Sequence, residues 1–189
     1  MVKRTVVYFD CPGEMNTDEV LKAAKERADE LGIRDIVVAS TRGETGVKAA
    51  EIFKGYNLVV VTHHTGFRAP GIQEMKEENR KTIEELGGKV FTGTHAFMNV
   101  ERAILNKLGT AYPTEIIAHT LRLFGEGMKV AVEITLMAAD AGLIPVDKDV
   151  ISIAGSGKGA DTAVVIKPAN SKDLFEVTIR EIIAKPRTR

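Results

Sequence analysis

The 189 residues are 44% hydrophobic and 28% charged, enough apolar content to build a sizeable core and too much for a disordered or fibrous chain. Lys plus Arg (26) balances Asp plus Glu (26), so there is no global basic field to gather a nucleic acid, and nonspecific DNA or RNA binding is not expected. One cysteine, Cys11, can close no internal disulfide and cannot build a thiolate metal cage, which fits a reducing cytoplasm.

Thr5 to Phe9 is too short for a signal-peptide core and is closed by Asp10. The apolar run from Val130 to Pro145 is interrupted by Glu133 and Asp140. Neither export nor membrane insertion is therefore expected. A single Gln, a single Cys, no Trp and abundant Lys and Glu lean toward the composition of a thermophile.

Apolar runs of strand length alternate with stretches of helical period, the pattern of parallel strands joined by crossover helices. A first strand is expected over Thr5 to Phe9. Asn16 or Thr17 then caps a helix, with Glu19 three residues after Asn16 as in a capping box, and Gly32 ends it. A second strand at Asp35 to Ala39 leads to a helix over Thr45 to Lys54. The third strand, Leu58 to Thr62, contains an unbroken Val59-Val60-Val61 that predicts burial on both faces at the centre of the sheet. The third helix is expected over Gln73 to Leu86, stopped by Gly87-Gly88, before a short strand at Lys89 to Thr92.

From Val100 to Ala141 the pattern is helical, with Gly109, Pro113, Gly125, Gly127 and Gly142 separating three helices; the last, Met128 to Ala141, is apolar nearly all round and so buried. Val150 to Ala154 and Thr162 to Lys167 read as strands whose short connection makes them antiparallel. Phe175 to Ala184 alternates like an edge strand, and Lys185 to Arg189 reads as a solvated tail. Together these elements predict one α/β domain over residues 1–189: a three-layer α/β/α fold with a mainly parallel sheet and an antiparallel C-terminal strand.

Ligands of open parallel sheets sit beyond the carboxyl ends of the strands, and the polar clusters of this sequence fall there. After the second strand comes Ser40-Thr41-Arg42-Gly43-Glu44-Thr45-Gly46, entering a helix. Hydroxyls, glycine-freed N–H groups and a helix N-terminus make an anion pocket suited to phosphate; the alternative is an elaborate helix cap. Gly155-Ser156-Gly157-Lys158-Gly159 is no Walker A loop, because Ser152 and Gly159 stand where Gly and Ser or Thr are needed and a strand follows. It is either a flexible turn or a backbone nest with Lys158 as a point charge on a second anionic group.

His63-His64-Thr65-Gly66-Phe67 and Thr92-Gly93-Thr94-His95-Ala96-Phe97 occupy neighbouring rim positions. A flat ligand lined by Phe67 or Phe97 and hydrogen-bonded by His63 or His95 is favoured. No metal site is expected, since adjacent histidines on an extended segment point apart and at most one could join His95. Cys11 is expected to be small and buried, and His119 to be a packing residue. Glu133 and Asp140 share a face of the apolar helix, where a structural pair, with Arg42 or Lys129 as partner, is favoured over a catalytic acid.

The stretch Ile36 to Thr45, followed by a helix and Leu58 to Thr62, resembles the C-terminal regulatory domain of pyruvate kinase, which uses this loop to hold an effector's phosphate. The likeness resumes at Ala141-Gly142-Leu143-Ile144 and at Asp149 to Gly155. The chain as a whole is similar to stand-alone archaeal and bacterial pyruvate kinase α/β domain proteins, through Val61 to Phe67, Gly127 to Glu133 and Gly159 to Thr162. Members of that group are associated with bound FMN. The resemblance implies a flavin phosphate at Ser40, Thr41, Arg42, Gly43, Thr45 and Gly46. It places the ring near His63, Gly66, Phe67, Thr94 and His95, with Gly155, Gly157 and Lys158 contributing from the second loop.

A pyruvate kinase is not expected, because its catalytic barrel of about 250 residues has no room here. The leading expectation is a cytoplasmic protein that binds a small phosphorylated ligand, FMN first. The alternatives are a flavin-dependent oxidoreductase with His63 or His95 as proton donor, and a regulatory module that senses a sugar phosphate. The neutral surface and the C-terminal edge strand suggest a homodimer.

Overall fold

The computed structural model of the protein describes residues 1, 3–110 and 112–188. Its strands are β1 (Val7–Phe9), β2 (Asp35–Ala39), β3 (Asn57–Val61), β4 (Lys89–Phe91), β5 (Val150–Ala154), β6 (Thr162–Lys167) and β7 (Thr178–Pro186). They form a seven-stranded sheet in the order β1-β7-β6-β5-β2-β3-β4. β5, β2, β3 and β4 run parallel, and so do β1 and β7, while β6 is antiparallel to both of its neighbours.

The helices are α1 (Thr17–Leu31), α2 (Glu44–Ile52), α3 (Glu77–Glu85), α4 (Val100–Leu108), α5 (Pro113–Leu121) and α6 (Glu126–Asp140). Alternate strand residues feed two cores on opposite faces of the sheet. Ile36, Val38, Leu58, Val60, Ile151 and Ile153 pack beneath α1 and α2 with Val20, Leu21, Ala24 and Ala49. Val37, Val59, Val61, Val150 and Ala154 pack beneath α6 with Met128, Ala131, Val132 and Met137. The fold is therefore three layers, α/β/α. Each wholly buried Val, Ile or Leu stabilises it by about 1.5–3 kcal/mol relative to exposure.

The central strands lie where their unbroken apolar runs predict, and α6 is buried nearly all round. α1 stops at Gly32, whose φ of 68° allows its own N–H to reach the Asp29 carbonyl and the Ile33 N–H that of Ala28. At its start the expected capping box is absent. Asn16 Nδ2 instead donates to the Cys11 carbonyl at 2.8 Å, and the Thr17 hydroxyl donates to the Glu14 carbonyl at 2.7 Å.

α3 begins at Glu77 rather than at residue 73, because Gln73 folds back and accepts the Met75 N–H at 2.9 Å, fixing a turn. β7 is not an edge strand. β1 pairs along its outer side in register from Val7 with Ala184 to Phe9 with Pro186, and the Arg187 N–H donates to the Phe9 carbonyl at 2.8 Å. The expected solvated tail thus starts two residues late, after Pro186. Cys11 is exposed, since the chain leaves the sheet before reaching it. His119 is also solvent-facing, 3.7 Å from Glu115 on the outer side of α5, and does not pack in the core.

Candidate functional site

β2 runs into α2 on one face of the sheet, whereas α6 brings the chain to β5 from the other. Where neighbouring parallel strands connect to opposite faces, no connection covers their carboxyl ends and a crevice opens. Here it is a cleft of about 700 Å³, walled by the starts of α1 and α2, the loop after β3, the inner side of α6 and the 155–159 loop. That size suits a small-molecule ligand.

Residues 40–43 turn β2 into α2. Ser40 is buried, and its Oγ accepts the Gly46 N–H at 3.0 Å, so this hydroxyl caps the helix from within. Gly43 adopts φ 103°, and a Cβ there would lie 2.4 Å from the Cβ of Asn79 on α3; one on Gly46 would lie 2.8 Å from Ile83 and Val60. Both glycines therefore serve close packing, and neither belongs to the cleft wall. Thr41, Arg42 and Thr45 do belong to it.

Thr45 is only 8% exposed, and the surface it keeps lines the cleft. Among the described residues its hydroxyl has no hydrogen-bond partner, and the Arg42 guanidinium forms no ion pair. These groups sit at the positive end of the α2 dipole. Glu44 beside them is held by Lys76 at 2.8 Å, which keeps its carboxyl below the usual carboxylate range. The walls carry six cationic side chains against four carboxylates, a balance that favours an anion.

After β3 the chain turns instead of staying extended: the Gly66 N–H donates to the Ile72 carbonyl at 2.9 Å and the Phe67 N–H to that of His64 at 3.2 Å. The turn overturns the expectation that the paired histidines diverge. His63 stacks on Phe67 with ring centroids 3.9 Å apart, and both His63 and His64 lie beside His95, at 5.6 and 5.2 Å. His63 Nδ1 is 2.9 Å from Glu74 Oε2, and its Nε2 is 3.3 Å from Thr41 Oγ1. A carboxylate only accepts, which assigns the proton to Nδ1. Arg68 Nε lies 3.6 Å from the other Glu74 oxygen. Among the described residues no group of three or more His, Cys, Asp or Glu is arranged to hold a metal ion.

Lys129 and Glu133, one turn apart on α6, form a buried ion pair in the cleft floor, as expected for Glu133. The second Glu133 oxygen accepts the Phe97 N–H at 2.9 Å. Burial lowers the Lys129 ammonium pKa, opposed by the adjacent carboxylate. Asp140 is elsewhere: it is exposed and accepts the Ser171 N–H at 2.9 Å. His95 is 7% exposed, and burial pushes its imidazole pKa down to about 4, so the ring is neutral near pH 7. Its Nε2 accepts the His64 N–H at 3.4 Å, leaving the proton on a buried Nδ1 that has no partner.

The second glycine-rich loop is tied to the protein itself. Asp161, wholly buried, accepts the N–H groups of Gly13 at 3.0 Å and Ser156 at 3.1 Å, and the Ala160 N–H donates to Thr17 Oγ1 at 3.0 Å. Donors that would form an anion nest thus point inward. Gly155, Gly157 and Lys158 line the cleft, with the exposed Lys158 ammonium 2.5 Å from Glu14. Thr94 is not on the cleft; it borders a second hollow of about 500 Å³ with Phe91 and Ser171, which shares His95 and Met137 with the cleft. Gly66 shapes the turn without lining the cleft, and Phe97 is core, 2% exposed.

The family model described as pyruvate kinase, alpha/beta domain, matches residues 18–166, well over half of the sequence. The chain belongs to the pyruvate kinase alpha/beta domain family. In this member of the family the match runs from α1 to β6, so the 40–46 turn, the imidazole cluster, the α6 floor and the second loop all lie inside it, while β1 and β7 lie outside.

No helix among the described residues is long and apolar enough to cross a membrane. Sequence reasoning missed Glu74, Arg68 and Arg122 on the cleft wall. The sequence pattern puts Glu74 on a helix, and only the turn signals Gly66 and Gly71, bracketing a reversal after the paired histidines, point to its return toward His63.

Proposed function

We propose that this pyruvate kinase alpha/beta domain protein binds a phosphorylated ligand in the cleft, and that the ligand is FMN. The observation that carries this reading is the meeting, in one cleft, of unpartnered anion donors with a stacked ring pair. Thr45 and Arg42 stand at the N-terminus of α2, and His63, stacked on Phe67, lies next to them, 3.3 Å from the Thr41 hydroxyl. A phosphate suits the first group, since a charged acceptor there would satisfy donors that the protein leaves free. A flat heteroaromatic ring suits the second.

When bound, a flavin would supply hydride and electron chemistry that the side chains lack. The protein's part is to hold the phosphate, sandwich the ring against His63 and Phe67, and exclude water with the apolar stretch of Val130, Ile134 and Met137 on α6.

Mass spectrometry of the small molecule released on denaturing the purified protein should give the FMN mass. In a thermal-shift screen FMN should raise the unfolding midpoint in proportion to its occupancy. A midpoint raised by sugar phosphates and not by FMN would replace the flavin with a phosphosugar and favour a sensing module. A midpoint moved by neither would remove the phosphate site.

A further inference from the structure

We infer that Glu74 and His63 form a proton-carrying arm of the anion site, so that an oxyanion bound at the α2 N-terminus is taken up together with one proton. This rests on the anion half of the proposed site and not on the flavin. A helix N-terminus alone would not carry it. The second observation is Thr45, buried to within 8% exposure with a partnerless hydroxyl opening on the cleft.

Each contact along Glu74, His63 and Thr41 holds one proton. Glu74 accepts at 2.9 Å, so Nδ1 of His63 carries a hydrogen in either charge state. In the neutral ring Nε2 is therefore an acceptor, and the Thr41 hydroxyl, 3.3 Å away, has only its single proton to give it. Thr41 then turns oxygen lone pairs toward the cleft, which repel an oxyanion. If His63 gains a proton, Nε2–H becomes a donor to Thr41 Oγ1 or to the anion, and the Thr41 proton is released to the anion. One proton thus converts a repelling wall into one that donates, and Glu74 is the positioning residue that stabilises the charged ring.

The other titratable or charged groups around His63 are His64 on the same turn, His95 after β4, Arg68 on Glu74, Arg42 across the cleft, and the Lys129 and Glu133 pair on α6. Arg68 and Arg42 keep their charge throughout, and the α6 pair is internally neutralised. His95 stays neutral near pH 7. His64 is the adjacent imidazole on the same turn, so it serves as the control.

Sulfate is the probe, because it does not change protonation near neutral pH and any pH dependence of its binding belongs to the protein. Its dissociation constant should be measured by calorimetry across the neutral and mildly alkaline range on the full chain. As the pH is raised the affinity should fall, approaching about tenfold per pH unit for uptake of one proton. His64→Gln should keep that slope. His63→Gln, which can still bridge Thr41 and Glu74, should bind sulfate with no slope. Glu74→Gln, which removes the negative charge 2.9 Å from the ring, should bind sulfate more weakly than the unmodified protein.

A flat profile in the unmodified protein, a slope that survives His63→Gln, a slope removed by His64→Gln, or no sulfate binding at all would each overturn the inference. FMN failing to bind while sulfate shows the slope would refute the flavin and leave the proton arm standing. FMN binding beside a flat sulfate profile would do the reverse.

Discussion

Thr45→Ala separates a ligand-binding hydroxyl from a helix cap, two roles that sequence position alone cannot distinguish. Ser40 Oγ already accepts the Gly46 N–H at 3.0 Å, so the cap of α2 is made without Thr45, whose own hydroxyl has no partner among the described residues. Removing that hydroxyl breaks no internal hydrogen bond. The lost methyl costs about 0.8 kcal/mol, and the better helix propensity of Ala returns about half of it, so unfolding free energy should move by less than about 1 kcal/mol.

A hydroxyl donating to a charged phosphate is worth about 1.5–3 kcal/mol, and its loss should weaken FMN binding by about tenfold to a hundredfold. Ser40→Ala should behave in the opposite way. It leaves the Gly46 N–H without its acceptor, lowers stability by about 1–2 kcal/mol, and changes Kd less than Thr45→Ala does. Urea unfolding and flavin fluorescence titration on both variants provide the comparison. A Thr45→Ala protein with unchanged Kd and reduced stability would refute the assignment of this hydroxyl to the ligand.

Gly43→Ala should lower stability by about 2–4 kcal/mol in urea unfolding, because φ 103° is strained for a side chain and the new Cβ would meet Asn79 at 2.4 Å. His95 binds its proton less tightly folded (pKa about 4) than unfolded (6.5). Stability from this residue therefore falls as pH drops through that window, by about 3 kcal/mol, and His95→Gln should flatten the acid limb of the stability profile by a similar amount. Lys129→Met should cost about 3–5 kcal/mol by leaving Glu133 buried without its cation; the double variant with Glu133→Gln should recover part of that loss in thermal unfolding. Lys158→Ala should leave FMN affinity within about twofold in the same titration, since its ammonium is exposed and paired with Glu14.

The layers and the order of most elements were legible because their signals are local. Val59-Val60-Val61 marks a strand buried on both faces, Gly32 stops α1, and the five residues from Val150 to Ala154 form the strand their composition suggests. The 40–46 turn stands out in the sequence because its hydroxyls and glycines exceed what a cap requires; the structure puts Thr41, Arg42 and Thr45 on the cleft wall, gives Ser40 to the cap and uses Gly43 and Gly46 for packing.

Other features depend on partners distant in sequence. β1 covering β7 joins residues about 177 positions apart, and nothing in Phe175 to Ala184 announces a neighbour. Asp161 occupying the N–H groups of Gly13 and Ser156 turns an apparent nest inward. Glu74 reaches His63 only because the chain reverses after β3, so a carboxylate that reads as a helix face becomes the orienting partner of an imidazole.

The proposed binding mode depends first on the phosphate, and a parallel titration with FMN and riboflavin isolates it. The two share the ring and the ribityl chain and differ only in the phosphate, so flavin fluorescence reports both on the same scale. FMN should bind, and riboflavin should bind at least about tenfold more weakly, since Thr45, Arg42 and the α2 N-terminus would lose their charged acceptor. Equal affinities for the two, or unchanged FMN fluorescence at saturating protein, would contradict a phosphate-anchored flavin in this cleft.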